Sequence, residues 1–474
     1  MQSVKFTGRF NKMENIKIRS LLLYLLLLSF LFGASFFIYE YITNAKIWSL
    51  NPINRHLSSG SAYCGKILDR NDNVLAQTVN GKRVYSDNEN IRKALLHTVG
   101  DSAASFPSSV QARYSSELFG YNLISGFGTP KPLDTTSNIK LTLDSKVCAA
   151  AYKSLKDKKG AAIVLNYLTG EIICMVSTPS YDPSNKPDIK EISENDEYKG
   201  VYINRALLAS YTPGSIFKII TAIAALNNLE DAEKRIFKCT KIKVINGEKI
   251  VCMQDHGDIN LKSGLAKSCD IVFSDIAIEL GKDKMASEAE KLGFNKRLCA
   301  EGINLSASKY EIAENSSKAD LGWSGIGQHT VLVNPMHMLI IMSAIANKGT
   351  PVEPYFIDSI TSPKNNSFNI QKRRHSSMGK MISETNADKI KDMMRHTTAN
   401  NYGDKMFPNM KICAKTGTAE VSKEEPPHGW MIGFSQEKKF PFAFAVIVEN
   451  SDFGIKSAGP VAASIMKSVY SGYS

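Results

Sequence analysis

One serine in the chain has the setting that a catalytic nucleophile requires. Ser215 follows Pro213 and Gly214, which end a loop, and it opens an apolar run with helical spacing, IFKIITAIAALNNL. We therefore expect its hydroxyl near the positive end of a helix dipole. Lys218 lies three residues further on the same helix face, within reach of that hydroxyl. A lysine acts as a base only when burial or a second cation lowers its pKa. The pair therefore predicts a nucleophilic serine only if other groups complete the site.

The Ser-x-x-Lys spacing alone does not identify a site. Other serines have a lysine at the same spacing, in the pairs Ser137/Lys140, Ser306/Lys309, Ser377/Lys380, Ser435/Lys438 and Ser464/Lys467. Each of these can be a surface serine beside a solvated lysine. Only Ser215 combines a Pro-Gly lead-in with an apolar helix, so we take it as the candidate.

The triplet Ser268-Cys269-Asp270 supplies a second hydroxyl and a carboxylate, two residues apart. Both side chains can face one cleft if the backbone turns between them. Taken alone, the triplet is better explained as a helix cap formed by the serine or the aspartate. Its value therefore depends on the other motifs.

A third segment, Lys415-Thr416-Gly417-Thr418, lies in a strand-like stretch. We expect the glycine to let a substrate backbone approach, and the lysine with two hydroxyls suits a carboxylate. A similar triplet, Lys262-Ser263-Gly264, lies in a helical context and is discounted.

These three segments, in this order, resemble the Ser-x-x-Lys, Ser-x-Asn and Lys-Thr-Gly motifs of the penicillin-recognising serine enzymes. Longer stretches resemble the class B penicillin-binding proteins in particular. They are TLDSKVCAAAYKSLKDKKGAAIVLNYLTGEIICMVSTPSYDPS, GWSGIGQHTVLVNPMHMLIIMSAIANKG, and a pedestal segment with Asp69-Arg70 and Val74-Leu75-Ala76. The resemblance runs from Gly65 to the end and is weakest over 100–138. It departs at Asp270, where most of the family has asparagine, and an ionised aspartate only accepts hydrogen bonds.

The resemblance implies a peptidoglycan D,D-transpeptidase that β-lactams inhibit. Ser215 would attack the penultimate D-Ala carbonyl of a stem peptide, with Lys218 taking its proton. Ser268 would relay a proton while Asp270 holds the network. An amine of a neighbouring stem peptide would then resolve the acyl-enzyme.

The same resemblance assigns the substrate contacts. Lys415, Thr416, Gly417 and Thr418 would bind the substrate carboxylate, and the N–H groups of Ser215 and Thr418 would form the oxyanion hole. The expected partners are stem peptides, β-lactams and a membrane glycan polymerase. No cofactor is expected.

Other functions stay open beside this one. A serine β-lactamase or D,D-carboxypeptidase would share the motifs, but not usually an anchor and a pedestal. A noncatalytic β-lactam sensor or assembly scaffold would be expected to have a signalling domain or a damaged motif. A second, glycan-polymerising domain is disfavoured because 44–138 is short and contains only Glu89 and Glu117 as glutamates.

The surrounding segments predict an α+β fold, and the resemblance implies that it is of the β-lactamase/transpeptidase type. A helical segment, LDSKVCAAAYKSLKD, precedes two strands joined at 167–170; helices follow, then strands around KICAKTGTAEV and FAFAVIVEN. This order favours an antiparallel sheet flanked by helices. Upstream, GKILDRNDNVLAQTVNGKRVY predicts a hairpin in a small β-rich pedestal. The predicted divisions are a cytoplasmic tail (1–20), a transmembrane anchor (21–43), a pedestal (44–138) and a transpeptidase domain (139–474).

The prediction of a transmembrane anchor is based on residues 21–38, which are 18 residues without a charge. That length just reaches across a bilayer. The first 20 residues carry five basic side chains against the single acid Glu14, so the positive-inside rule places the N-terminus in the cytoplasm. A signal peptide cleaved near Gly33-Ala34-Ser35 is the alternative, but the apolar run continues too far beyond that site.

The remaining charge and the cysteines indicate less. A formal net charge of +12 suits anionic lipids or wall polymers, or simply a solvated surface, and no aromatic-basic stripe indicates nucleic acid.

Of eight cysteines, Cys239 and Cys252 flank a hairpin pattern with Asn246-Gly247 as its turn. In that register they are diagonal neighbours about 7–8 Å apart, beyond disulfide reach unless a bulge intervenes. Since no CxxC pair and no His-Cys cluster occurs at metal spacing, no metal site is expected.

Overall fold

The computed structural model describes residues 4–49, 64–120, 136–155, 157–361, 369–372, 376–420 and 424–473. Its α-helices are α1 (Val4–Ser49), α2 (Glu89–Ala94), α3 (Leu96–Val99), α4 (Val110–Arg113), α5 (Ser115–Phe119), α6 (Ser145–Leu155), α7 (Ile189–Glu194), α8 (Arg205–Leu208), α9 (Lys218–Asn228), α10 (Leu261–Ala266), α11 (Asp270–Lys291), α12 (Lys318–Gly325), α13 (Pro335–Ala346), α14 (Glu384–Thr397) and α15 (Gly454–Tyr473).

The strands are β1 (Ile67–Leu68), β2 (Val74–Val79), β3 (Lys82–Tyr85), β4 (Asn138–Leu141), β5 (Gly160–Asn166), β6 (Ile172–Thr178), β7 (Ile236–Cys239), β8 (Ile242–Ile245), β9 (Glu248–Val251), β10 (Gly257–Asn260), β11 (Cys299–Ala300), β12 (Ile303–Asn304), β13 (Ile357–Thr361), β14 (Asn369–Lys372), β15 (Ile412–Ala419), β16 (His428–Ser435) and β17 (Phe442–Val448).

The central sheet has the strand order β15-β16-β17-β5-β6, and every neighbouring pair is antiparallel. Strands β6 and β17 are buried at every position, as expected for a sheet covered on both faces. Helix α6 packs on β6, α15 on β16 and β17, and α13 on β5, β16 and β17. The predicted antiparallel sheet flanked by helices is therefore confirmed.

A second sheet, in the order β14-β13-β4-β1-β2-β3, contains the predicted hairpin. Strands β1 and β2 pair antiparallel, and between them the Asp69 carboxylate accepts the N–H groups of Asn71 and Asn73 at 2.8 and 2.9 Å. Strands β13 and β14, from much later in the chain, extend this sheet through β4. Parts of the predicted pedestal, 50–63 and 121–135, lie outside the described residues.

Helix α1 contains an apolar stretch, Ile16–Tyr41, of 26 residues. By length and composition this stretch can cross a bilayer, and it fits a membrane anchor. It overlaps the segment that the sequence predicts as the anchor. The orientation of the helix in a membrane stays a prediction.

Candidate active site

Ser215 lies on a tight turn pressed against the edge of the central sheet. The 3₁₀ turn Gly214–Ile216 precedes α9, so the serine sits just before the α-helix rather than inside its first turn. Gly214 has a φ of 56°, and a Cβ there would lie 2.3 Å from the backbone oxygen of Thr418. A glycine is therefore required for this turn to reach β15.

Lys218 is fully buried, and its Nζ reaches the candidate nucleophile. Nζ donates to Ser215 Oγ at 3.0 Å, to Ser268 Oγ at 3.2 Å and to the Ser268 carbonyl at 2.6 Å. It also forms an ion pair with Asp270 Oδ1 at 2.7 Å. The ammonium thus joins both hydroxyls and the carboxylate that the sequence predicts as one site.

The backbone turns at Ser268, which has a φ of 54°. This left-handed conformation is uncommon for a residue with a side chain. It separates α10 from α11, and it lets both Ser268 and Asp270 face Lys218. Ser268 and Asp270 were expected to face one cleft only if the backbone turned between them, and the backbone does turn there.

Lys415 lies on β15 and is also buried. Its Nζ donates to Ser268 Oγ and to the Thr416 carbonyl, both at 2.9 Å. Burial lowers the pKa of Lys415 well below its usual range, and the nearby Lys218 lowers it further, while Asp270 opposes the shift. A continuous path of hydrogen bonds therefore runs from Ser215 through Lys218 and Ser268 to Lys415.

The rest of the third segment is held from both sides. Tyr402 Oη accepts the backbone N–H of Thr416 at 3.0 Å and lies 3.0 Å from its hydroxyl oxygen. The hydroxyl oxygen of Thr418 accepts the N–H of Gly454 at 3.2 Å. At Gly417 a Cβ would lie 2.7 Å from the Pro213 carbonyl. The loop that leads to Ser215, rather than a substrate backbone, is therefore what approaches this glycine in the structure.

A cleft of about 780 Å³ opens over these side chains. Ser215, Ser268, Asp270, Thr416 and Thr418 all line it. Within the described part of the chain, its carboxylates are those of Asp270 and Glu420. The arrangement offers a serine nucleophile, a lysine that can receive its proton, and a hydroxyl-rich, cationic wall for an anionic group.

Comparison with known proteins identifies the family. Residues 160–467 match the sequence model of the penicillin binding protein transpeptidase domain. The chain belongs to the penicillin-binding protein transpeptidase family. The matched segment contains all three motifs, and the predicted resemblance is confirmed.

Relatives of this penicillin-binding protein cover most of its length. Peptidoglycan D,D-transpeptidase PbpA from Mycobacterium tuberculosis is 28% identical over 379 residues, which are 74% of this chain and 75% of the relative. Stage V sporulation protein D from Bacillus subtilis is 26% identical over 91% of this chain and 70% of the relative. The structure of penicillin-binding protein A from M. tuberculosis, a ceftriaxone acyl-enzyme complex, matches with a TM-score of 0.76 at 24% identity, covering 87% and 99% of the two chains. The shared fold confirms the predicted fold class.

Sequence reasoning missed two side chains that support this penicillin-binding site. Tyr402 holds Thr416 as described above. Trp430 on β16 donates its indole N–H to the Thr212 carbonyl at 3.0 Å, behind the Ser215 turn. Neither belongs to a motif. Only the pairing of β15 with β16 places Trp430, opposite Gly417, near that turn.

The sequence shows no cysteines and histidine at metal spacing, but the fold brings four such side chains together. Cys239, Cys252, His256 and Cys269 meet with their ligand-capable atoms all within 4.8 Å of one another. Spacings of 12, 3 and 12 intervening residues hide the group in the sequence. It forms because the β8–β9 hairpin, with the predicted Asn246-Gly247 turn, folds back onto the start of α11.

The disulfide left open between Cys239 and Cys252 is not formed. All eight cysteines are free thiols, and Cys252 Sγ lies 3.6 Å from Cys269 Sγ. The predicted hairpin register is confirmed by the bond from the Cys252 N–H to the Lys241 carbonyl at 2.8 Å.

Proposed function

We propose that this penicillin-binding protein is a peptidoglycan D,D-transpeptidase, in which Ser215 forms the acyl-enzyme. The observation that carries the proposal is the contact of Lys218 Nζ with Ser215 Oγ at 3.0 Å, within a site where Ser268 joins Lys218 to Lys415. The first relatives in sequence are named as D,D-transpeptidases, which supports the same activity.

Acylation proceeds by attack of Ser215 Oγ on the penultimate D-Ala carbonyl of a stem peptide. Lys218 acts as the general base and receives the serine proton. The Ser268 hydroxyl gives a proton to the departing D-Ala nitrogen and regains one from Lys218. The C–N bond breaks, terminal D-Ala leaves, and the acyl group remains on Ser215.

Two groups of contacts orient the substrate. The hydroxyls of Thr416 and Thr418 bind the terminal carboxylate, with the cation of Lys415 beneath them. The N–H groups of Ser215 and Thr418 stabilise the oxyanion of the tetrahedral intermediate. The amine of a neighbouring stem peptide then attacks the ester, and the same relay carries its proton back to Ser215.

The main competing function is hydrolysis, as in a β-lactamase or carboxypeptidase. Fast hydrolysis requires a base that activates water in the acyl-enzyme. Of the two described cleft carboxylates, Asp270 is bound to Lys218, and Glu420 is exposed. This favours acyl transfer to an amine.

The persistence of the penicillin adduct distinguishes these functions. The full-length protein in detergent is labelled with fluorescent penicillin, free label is removed, and the remaining adduct is followed over hours. A transpeptidase keeps the adduct and forms a cross-linked product from donor and acceptor stem peptides. Rapid catalytic turnover of the antibiotic indicates a hydrolase, and a stable adduct without any cross-linked product indicates a sensor or scaffold.

The proposed topology is a single membrane span with the N-terminus in the cytoplasm and the penicillin-binding domain outside. It is supported by the basic flank before the apolar stretch of α1. Protease added to intact spheroplasts should digest the chain after about residue 44. Protection of that region contradicts the topology.

A glycan polymerase in the same membrane is the proposed partner, since cross-linking consumes stem peptides carried on new glycan.

A further inference from the structure

A second cluster of reactive side chains lies directly behind the turn of residues 268–270. Cys239 ends β7, Cys252 follows β9, His256 precedes β10, and Cys269 is the middle residue of the turn. The three thiols are buried and His256 is half-buried. We propose that these four side chains bind one zinc ion, and that the ion fixes the 268–270 turn.

The distances fit ligands that share one ion. Cys252 Sγ lies 3.6 Å from Cys269 Sγ, and Cys239 Sγ lies 3.4 Å from His256 Nδ1. With Zn–S near 2.3 Å and Zn–N near 2.0–2.1 Å, a tetrahedral site separates two sulfurs by about 3.8 Å and a sulfur from a nitrogen by about 3.5 Å. A disulfide would instead require sulfurs about 2.05 Å apart.

The donor set selects the metal. Three thiolates and one imidazole favour Zn²⁺ in tetrahedral coordination, whereas oxygen-preferring cations find no carboxylate among these ligands. The backbone N–H of Ile271, at the start of α11, donates to Cys252 Sγ at 3.5 Å. Such a donor at a helix N-terminus stabilises a thiolate. Because the protein supplies all four ligands, the site is structural, and binding displaces the thiol protons.

The position of Cys269 links this site to the chemistry. Its side chain enters the cluster, whereas Ser268 and Asp270 on either side bind Lys218. A metal bond to Cys269 therefore holds the backbone on which both side chains depend.

The ion also fixes one wall of the cleft. Lys249, Val251 and Met253, on and just after β9, line the cleft beside Ser215. The base of their hairpin is closed by Cys239, Cys252 and His256. The effect on acylation rests on the proposed function, but the metal site does not.

Metal analysis of the full-length protein tests the site. The protein is purified in detergent from zinc-supplemented cells, without chelators, and should contain about one zinc ion per chain. His256→Ala and Cys239→Ser should lose the ion, and His256→Ala, at the most exposed ligand, should keep the fold by circular dichroism. The matched control is Cys299→Ser, a thiol outside the cluster bonded to Asn304, which should retain full zinc content. Cobalt exchanged into the site should show the absorption of tetrahedral thiolate coordination.

Several results overturn the site. They are wild-type protein that binds neither zinc nor cobalt, equal zinc content in folded His256→Ala and wild type, and a disulfide joining two of the three cysteines in non-reducing mass spectrometry.

The coupling between the zinc ion and acylation is tested separately by removing zinc with a chelator and timing penicillin acylation. Acylation should slow by about tenfold or more and recover on adding zinc. An unchanged rate after verified removal overturns the coupling, whereas zinc-loaded protein that never reacts with penicillin contradicts only the proposed function.

Discussion

The amino groups of Lys218 and Lys415 converge on a single hydroxyl, that of Ser268, at 3.2 and 2.9 Å. Both lysines are buried, so their mutual repulsion is weakly screened. Asp270 pairs with Lys218 and compensates part of the charge. Two lysines therefore share one hydroxyl, and one carboxylate balances the charge of Lys218.

Replacing Lys218 with Met should remove the base while filling the same buried space. We expect the rate of acylation by penicillin to fall by about 10²–10⁴-fold, the usual contribution of general base catalysis. Stopped-flow or quenched labelling measures this rate. Lys467→Met, at the Ser464/Lys467 pair on α15, serves as the control and should react like wild type. Near-normal acylation of a folded Lys218→Met variant would show that another group takes the proton.

Lys415→Met should stabilise the fold and impair substrate binding. The pKa of Lys415 is lowered in the folded state, whereas an unfolded lysine titrates near pH 10.4. At pH values between the folded-state pKa and the unfolded-state pKa of Lys415, the unfolded protein binds more protons than the folded one. The stability of the wild type therefore rises with pH in this range. The variant should therefore gain about 0.5–2 kcal/mol near neutral pH, and the gain should shrink as the pH approaches 10. Chemical denaturation at several pH values measures this difference. A gain that grows with pH contradicts the assignment.

Asp270→Asn should keep measurable acylation. In the wild type, Lys218 Nζ lies 2.7 Å from Asp270 Oδ1. The asparagine oxygen can still accept a hydrogen bond from this amino group, but the bond is weaker because the acceptor has no negative charge. We expect a rate reduction of about tenfold. Asp270→Leu, of similar size but without an acceptor, should be far slower. Complete loss of acylation in a folded Asp270→Asn protein would show that the negative charge itself is required.

Tyr402→Phe should weaken the carboxylate subsite without touching the nucleophile. The change leaves the Thr416 N–H without its phenol partner at 3.0 Å. Since an unsatisfied donor costs about 1 kcal/mol or more, the second-order rate constant of acylation should fall roughly fivefold. The deacylation rate and the labelled residue should stay the same. An unchanged second-order constant would show that Thr416 does not depend on Tyr402.

Local pattern was sufficient to predict most of the elements that position the site. The apolar run after Ser215, the Asn246-Gly247 turn and the strand around Lys415 all form as expected, because each depends on neighbouring residues. Relationships that depend on chain folding were not predictable. The left-handed Ser268 is not a glycine, and nothing in its neighbours announces a φ of 54°. The same holds for the four-residue cysteine and histidine cluster, and for β13 joining β4 across more than 200 residues of sequence.

Mapping the penicillin adduct shows whether Ser215 is the acylated nucleophile. Full-length wild type, Ser215→Ala and Ser464→Ala are incubated with labelled penicillin, digested, and the modified peptide is sequenced by mass spectrometry. We expect one modified residue, Ser215, in wild type and in Ser464→Ala, and no covalent label in Ser215→Ala. A covalent adduct on folded Ser215→Ala, or on any other residue of the wild type, would contradict it.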